Sequence, residues 1–479
     1  MRAEDVDAAD QVCVSSGELP TPTLQGQGIS APRARSLRSS FRAFAQELLG
    51  HGREYGATFI TEFAVMASQI ILYKLAAHYL GSSGFAEYAL SRRTISMLFP
   101  IPILGLSVGL TRYIGFSNGK GDHTTALHYY GAALWCVGGA ALGCLALINL
   151  FARPFAYLFF GDSAYDYLAL PLSLVILGLC LHTVVCSYFR GQLAMGKANI
   201  LQLANLAIVP SVGFTFFRHS IAAVLTATGL ISTAVAIGAS LGTPLRATLL
   251  DNRKEVRELF VYGVQRVPGD FVLMALFTLP ATFVAHAKGI GEAGVVAFGI
   301  SVVTLVGGIF APVGLVLLPK ATTMFAEGAR AALRSHLNLL LRATALSSTV
   351  IALIIWIWIP ELSRLYLGAG FEQVVPIVRL LILGALPYSL YLVLRNLVDA
   401  YHKSGVTAAI LSGGLATFLA GAYFNRYVIS GTGAVLIAFL VALTVIALLS
   451  GWETRRVLGA APVQSTFCLQ MDKQNTRTK

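Results

Sequence analysis

The stretch TGAVLIAFLVALTVIALLSGW, residues 432–452, contains 21 residues and no charged side chain. About 20 consecutive apolar residues form a helix long enough to cross the hydrocarbon core of a membrane. The apolar residues are continuous rather than alternating, which favours a helix over a strand of a membrane barrel. The stretch therefore predicts a membrane-spanning helix.

Similar apolar stretches fill most of the 479-residue chain. Hydrophobic residues make up 56% of the sequence and charged residues 12%, against about 25% charged residues in a typical soluble domain. The predicted spans are 57–79, 89–114, 129–151, 168–189, 199–217, 220–244, 262–285, 293–318, 337–360, 374–398, 405–424 and 432–452. They predict an all-α, polytopic membrane protein with about 12 transmembrane helices.

Basic residues between the spans orient the chain in the membrane. The formal net charge is +12, and alternate loops differ by roughly three to one in lysine and arginine content, as the positive-inside rule describes. This bias predicts that both termini are cytoplasmic, which requires an even number of spans. Because the charge is explained by orientation, no nucleic-acid partner is expected.

The two halves of the membrane region resemble an internal repeat. The longest hydrophilic break between mid-chain spans is 246–258, and it separates six spans from six. The segment GFAEYALS (84–91) aligns with GVVAFGIS (294–301), and Pro102 aligns with Pro312 at the same offset. Duplicated bundles are typical of secondary transporters, which build a site between two moving halves.

These observations predict five segments. They are a cytoplasmic tail at 1–54, an N-terminal six-helix lobe at 55–245, a cytoplasmic linker at 246–258, a C-terminal six-helix lobe at 259–455 and a cytoplasmic tail at 456–479. The first tail is predicted to be disordered and then to form a short basic amphipathic helix at 37–48, which suits an anionic membrane surface. A partly ordered tail is the alternative.

Charged residues within membrane spans are costly and usually face a cavity. This chain carries Glu62, Lys74, His78, Arg92, Arg93, Arg112, Arg266, Asp270, Arg395 and Asp399 within its spans or at their ends. The excess of arginine indicates an anionic ligand, because guanidinium groups bind phosphate through two hydrogen bonds. The predicted substrate cavity is lined by Arg92, Arg93, Arg112 and Arg266. The candidate ion-coupling residues are Glu62, Asp270 and Asp399.

Structural roles are open alternatives for some of these charges. Arg112 and Arg395 lie near predicted cytoplasmic ends, so their side chains could extend to the membrane interface. Arg266 and Asp270 are four residues apart on one helix face and could neutralise each other.

The sequence lacks the motifs of an enzyme. It has no P-loop, so ATP is not the expected direct energy source. Its six cysteines show no metal-binding or redox spacing. We therefore predict a transporter, with no catalytic residue, cofactor or metal site.

The run YKLAAHYLGSSGFAEYALSRRTISMLFPIPILGLSVGLTRYIG (73–115) resembles the polysaccharide flippase family of the multidrug/oligosaccharidyl-lipid/polysaccharide exporter (MOP) superfamily. The matching residues are Leu80, Gly81, Tyr88, Leu90, Gly105, Arg112 and Tyr113. The segment FRGQLAMGKAN (189–199) resembles the end of the family's fourth span, with matches at Arg190, Gly196 and Lys197. His78 and the Phe85–Ala86 pair depart from the family pattern.

This resemblance implies a V-shaped exporter fold with two six-helix lobes. Such proteins are thought to flip polyprenyl-pyrophosphate-linked oligosaccharides by alternating access in the bacterial inner membrane, for surface polysaccharides such as the O-antigen of lipopolysaccharide. The expected partners are a lipid-linked oligosaccharide, membrane lipids and proteins of a glycan-assembly complex. An ion gradient is the expected energy source.

Three alternatives remain open. A multidrug and toxic-compound exporter of the same superfamily would favour an acid-rich cavity for cationic drugs. A membrane-embedded glycan polymerase or ligase would usually need a large periplasmic loop, and the predicted loops are short. A scaffold of a glycan-assembly complex would tolerate loss of the cavity arginines.

Overall fold

The structure, a computed structural model, describes residues 52–243, 253–264, 266–311, 330–368, 370–402, 405–425 and 431–459. Between 311 and 330 it also describes the single residues 313, 317, 321 and 324. The described residues from Arg53 onward belong to one compact unit. Every regular element in these ranges is helical, which confirms the predicted all-α class. The amphipathic helix predicted at 37–48 and the tail beyond 459 lie outside the described residues.

The first half of the chain consists of helices joined by short turns. They are α1 (Gly52–Leu98), α2 (Pro100–Ile103), α3 (Leu106–Gly119), α4 (His123–Leu150), α5 (Ala152–Phe160), α6 (Ala169–Gly191), α7 (Met195–Leu203), α8 (Val209–Phe216) and α9 (Ile221–Leu241). A π-helical turn at Ala204–Ile208 joins α7 to α8. Helix α6 packs against α3, α4 and α9, and so lies at the centre of this half.

The second half is also helical in the described ranges. Its helices are α10 (Arg253–Val264), α11 (Val267–Lys288), α12 (Ile290–Gly308), α13 (Arg330–Tyr366), α14 (Val374–Leu381), α15 (Ala385–Tyr401), α16 (Val406–Asn425) and α17 (Thr432–Gly459). Helix α17 packs against α15 and α16, and α11 packs against α12 and α16.

Eleven candidate membrane helices in the described ranges account for the predicted spans. The first candidate, Gly56–Ile103, has 48 residues and would be about 72 Å long as a continuous helix, more than twice the hydrocarbon thickness. Gly81 interrupts it with φ 67° and ψ −167°, values that glycine adopts without the strain a Cβ would cause. This candidate therefore contains the first predicted span and most of the second. Counting it as two crossings, the eleven candidates correspond to about twelve spans.

A second break divides the second predicted span. Pro100 and Pro102 open the one-turn helix α2, after which Leu104 (φ 52°) and Gly105 (φ 62°) are both left-handed. The break packs against the junction of α10 and α11, where a Cβ on Gly263 would lie 2.0 Å from the Leu104 carbonyl oxygen. Glycine is thus required at Gly263 for the two halves to approach here. The corresponding prolines of the second half, 312 and 319, lie outside the described residues.

The repeated segments 84–91 and 294–301 lie against each other. A Cβ on Gly294 would be 2.2 Å from the Cα of Ala86, so α1 and α12 approach to backbone contact. The rings of Phe85 and Phe298 pack beside this point with centroids 5.5 Å apart. The contact requires glycine at Gly294 opposite Ala86, and it positions the charged residues that follow.

The order of these helices predicts the membrane side of each loop. The segment 162–166 follows three predicted crossings, whereas the C-terminus follows twelve. Reporter fusions within 162–166 and after Lys479 should therefore report opposite sides, and a fusion at Gly121, between α3 and α4, should agree with the C-terminal one. Agreement between the 162–166 and C-terminal fusions would contradict the twelve-span topology.

Candidate functional site

Arg93 ties the first half of the protein to the second. Its side chain is only 8% exposed and donates to three acceptors of α12: the Ala297 carbonyl (3.3 Å), Ser301 Oγ (2.6 Å) and Thr304 Oγ1 (3.3 Å). The Arg93 carbonyl accepts a hydrogen bond from Thr278 Oγ1 of α11 at 2.9 Å. Its buried charge is therefore solvated by three oxygen atoms of α12, while its backbone carbonyl is bound by α11.

Arg92 occupies an aromatic environment beside it. Its guanidinium carbon lies 5.3 Å from the ring centroid of Tyr73 and 5.8 Å from that of Tyr88, distances at which a cation is attracted to a ring face. It also donates to the Tyr88 hydroxyl at 3.3 Å. The Tyr73 hydroxyl lies 2.6 Å from Ser301 Oγ. Ser301 therefore connects the two arginines, since Arg93 donates to it directly and Arg92 lies over the ring of Tyr73. We call Tyr73, Tyr88, Arg92, Arg93 and Ser301 the arginine–tyrosine cluster.

Arg112 and Arg266 form a second group at the other end of the second span. Arg112 is exposed on α3, and Arg266 donates to the Tyr262 hydroxyl at 3.2 Å. The ring of Tyr262 packs edge-on against Tyr113, the neighbour of Arg112, with centroids 5.9 Å apart. Arg93 and Arg112 are 19 residues apart, a distance of about 28 Å along a continuous helix, and the break at Leu104 and Gly105 lies between them. A single chamber for all four arginines stays a prediction.

Asp270, Arg395 and Asp399 form an ion network that joins three helices. Asp270 of α11 lies 3.7 Å from Arg395 of α15, which also lies 3.4 Å from Asp399. Thr407 of α16 donates to Asp399 at 2.6 Å. The Arg395 side chain is 25% exposed, so water reaches the network only partly.

The partner of Asp270 differs from the one that sequence spacing offered. Arg266 is the N-cap residue of α11, and its guanidinium group donates to the Tyr262 hydroxyl of α10 rather than pairing with Asp270. The structure instead pairs Asp270 with a residue 125 positions away, Arg395. Spacing of four residues identified only the Arg395–Asp399 half of the network.

Glu62 also has an arginine partner. It lies 3.8 Å from Arg190 of α6, which donates to Gln202 at 2.7 Å. Lys74 and His78, on the same helix as Glu62, are exposed. All three candidate coupling carboxylates therefore face an arginine.

The four predicted cavity arginines differ from these pairs. Within the described part of the chain, no carboxylate oxygen lies within 4.0 Å of Arg92, Arg93, Arg112 or Arg266. The site candidates thus divide into paired acids and arginines without an acidic partner. Sequence reasoning missed the roles of Tyr73, Tyr88 and Arg190, whose only sequence signal was their place in the family-like motifs.

Among the residues that the structure describes, no group of three or more histidine, cysteine, aspartate or glutamate side chains is placed to hold a metal ion. The four described cysteines are free thiols: Cys136, Cys144, Cys180 and Cys186.

Comparisons with known proteins agree with this architecture. The MatE family model matches residues 57–214, and no curated protein matches the chain significantly. The inward-facing structure of a multidrug resistance MATE family transporter of the MOP superfamily superposes with a TM-score of 0.67 at 14% identity, over 83% of this chain and 98% of that one. The chain has the MOP transporter fold.

Two further MOP structures are similar to it. The lipid II flippase MurJ, in an inward closed conformation, matches with a TM-score of 0.64 at 15% identity, over 84% of this chain and 87% of that one. A MOP superfamily transporter from Pyrococcus furiosus, whose binding pocket is described as reversed in polarity, gives a TM-score of 0.63 at 12% identity, over 85% and 96% of the chains. At these identities the comparisons establish the MOP fold.

Proposed function

We propose that this MOP-fold protein is a flippase that moves a polyprenyl-pyrophosphate-linked oligosaccharide across the bacterial inner membrane for surface polysaccharide synthesis, such as that of O-antigen. The observation that carries the proposal is the unequal pairing of charges. Arginines of the second and seventh spans have no acidic partner among the described residues, whereas Glu62, Asp270 and Asp399 are paired.

The physical argument is one of net charge in a medium of low dielectric constant. An unpaired guanidinium group attracts an anion and repels a cation, and both effects are stronger than in water. The planar guanidinium group also matches the oxygen spacing of a phosphate. A lipid pyrophosphate supplies that anionic group, and its glycan would occupy the polar space between the lobes.

Multidrug export is the second candidate, since two of the similar structures are named multidrug resistance MATE family transporters and the MatE family model matches residues 57–214. A cavity that accepts cationic drugs needs a carboxylate free to face them. Here each candidate carboxylate is engaged by an arginine, which favours the anionic substrate.

Transport would proceed by rocking of residues 55–245 against 259–455. The described contacts hold the halves together at the arginine–tyrosine cluster and at the Ala86–Gly294 approach. We propose that both termini are cytoplasmic and that the protein works with membrane lipids and with proteins of a glycan-assembly complex.

The proposal predicts charge-selective transport in reconstituted vesicles. A fluorescent polyprenyl-pyrophosphate-linked saccharide should be flipped, whereas a cationic dye should not. Neutralising an arginine that contacts the pyrophosphate removes a charge-assisted interaction of about 1.5–3 kcal/mol. Arg92→Gln, Arg112→Gln and Arg266→Gln should therefore each slow flipping roughly ten- to hundred-fold.

Arg153→Gln is the matched control. It also removes one arginine charge, but Arg153 is 82% exposed and pairs with Asp166 at the surface, so flipping should be unchanged. Export of the cationic dye together with normal flipping in all three cavity variants would overturn the proposal in favour of multidrug export.

A further inference from the structure

Helix α10 connects the two halves and has one exposed face with two chemical parts. Positions 253, 254, 257, 260, 261 and 264 fall within about 120° of one another at 100° per residue. The first three are Arg253, Lys254 and Arg257, and the last three are Phe260, Val261 and Val264; all six are exposed. The helix therefore presents a basic surface followed, along the same face, by an apolar one.

A cavity lies beside the basic part of this face. It has a volume of about 890 Å³ and is lined by Tyr113, Arg253, Lys254, Arg257, Glu258, Val261 and Tyr262. This volume is within the range of sites that hold small ligands. The four charged residues of its lining sum to +2, from three cations and one carboxylate.

The single acidic residue of the lining, Glu258, has a tyrosine partner. Tyr129 of α4 donates its hydroxyl proton to the Glu258 carboxylate, and Tyr129 is itself stacked on Tyr113 with centroids 4.8 Å apart. This tyrosine pair fixes one wall of the cavity. Among the described residues, no carboxylate oxygen lies within 4.0 Å of a cationic nitrogen of the other wall.

The position of the helix supplies the rest of the argument. Val264 lies three residues before α11 begins at Val267, so the apolar end of α10 meets the predicted membrane surface. The basic end lies further out, on the side that the lysine and arginine bias predicts to be cytoplasmic. A lipid with a phosphate head group and an acyl chain matches this face, because its anionic head would meet the basic end of α10 and its chain the apolar end.

We propose that α10 and this cavity bind one anionic phospholipid of the predicted cytoplasmic leaflet. Arg253, Lys254 and Arg257 hold the phosphate, and the acyl chains pack on Phe260, Val261 and Val264. Basic pockets at helix ends are known places of lipid headgroup recognition. Because α10 contacts α3 and α4 of the first half and leads directly into α11, the bound lipid would bridge the two halves. The cavity adjoins the Arg112 and Arg266 group through Tyr113 and Tyr262, and the proposed lipid is a different molecule from the proposed transport substrate.

Native mass spectrometry of the full chain in detergent tests the proposal. With equal concentrations of dioleoylphosphatidylglycerol and dioleoylphosphatidylcholine, the protein should retain one phosphatidylglycerol. Each basic residue near a surface contributes about 1 kcal/mol of attraction to anionic lipid, so Arg253→Gln/Lys254→Gln/Arg257→Gln should lower its affinity roughly 100-fold. Equal retention of both lipids by the unmodified chain would overturn the proposal.

The control variant is Lys120→Gln/Arg334→Gln/Arg455→Gln. It removes the same number of charges, from exposed residues outside the cavity on the same predicted side, and should retain the lipid. An equal loss in both triple variants would show non-specific attraction and overturn the proposal. A third variant, Arg253→Lys/Arg257→Lys, preserves the charge and should still prefer phosphatidylglycerol; failure to do so would also overturn it.

Soluble anions distinguish the source of the phosphate. Millimolar inorganic phosphate should leave the bound phosphatidylglycerol in place, because it lacks the acyl chains that contact α10. Displacement by inorganic phosphate would mean that the cavity is a site for free phosphate and would overturn the lipid assignment. Preferential capture of a polyprenyl pyrophosphate over phosphatidylglycerol would also overturn it, by making the cavity part of the transport path.

Discussion

Replacing Arg93 by methionine is expected to lower the stability of the folded protein by about 2–4 kcal/mol. Methionine fills a similar length but cannot donate to Ala297, Ser301 or Thr304, so three charge-assisted hydrogen bonds between α1 and α12 are lost. The two hydroxyls keep partners within α12, which limits the cost. The thermal unfolding midpoint in detergent should fall by several degrees.

Arg92→Met provides the matched control at the neighbouring position. It removes the same charge, but the contacts of Arg92 are with the Tyr73 and Tyr88 rings and the Tyr88 hydroxyl. A partly exposed cation–ring contact contributes about 0.5–1 kcal/mol, so the midpoint should change little while flipping slows. Equal midpoints for the two variants would contradict the assignment of Arg93 as the residue that joins the halves.

The sequence predicted the helices well because the signal for a membrane span is local. Each span needs only enough consecutive apolar residues, and that property is visible at residues 432–452 without any tertiary information. The fold class is confirmed by the structure and by the MOP similarity. The boundaries of the two lobes stay a prediction, as do the roles of the cavity arginines.

Partners of the charged residues could not be predicted in the same way. Arg93 reaches Ser301 only because Gly294 allows α12 to touch Ala86, and this register between helices leaves no local pattern. Similarly, spacing of four residues connected Arg395 to Asp399 but could not reveal Asp270 on α11. Sequence spacing reports contacts within a helix, whereas the chemistry here lies between helices.

Neutralising Asp270 is expected to reduce gradient-driven transport about ten-fold, the equivalent of about 1.4 kcal/mol, more than it reduces substrate binding. The network of Asp270, Arg395 and Asp399 carries a net charge of −1. Loss of one carboxylate charge would leave a neutral arginine–carboxylate pair. Asp270→Asn fixes that neutral state, so exchange down a substrate gradient should continue while dependence on an imposed proton gradient is lost. Glu62→Gln should act similarly at its pair with Arg190.

A purely structural network would give a different result. In that case Asp270→Asn would reduce the amount of folded protein and leave the gradient dependence of each molecule unchanged. The double variant Asp270→Asn/Asp399→Asn calibrates the structural effect, because it leaves the Arg395 charge without either of its two carboxylate partners. Asp166→Asn, which breaks an exposed pair with Arg153, should change neither the amount of folded protein nor the gradient dependence.

Transport by vesicles with an imposed pH or sodium gradient, normalised to the amount of protein, separates the two cases. Full gradient dependence in both Asp270→Asn and Glu62→Gln would reject coupling, and loss in the single variants with normal folding would establish it.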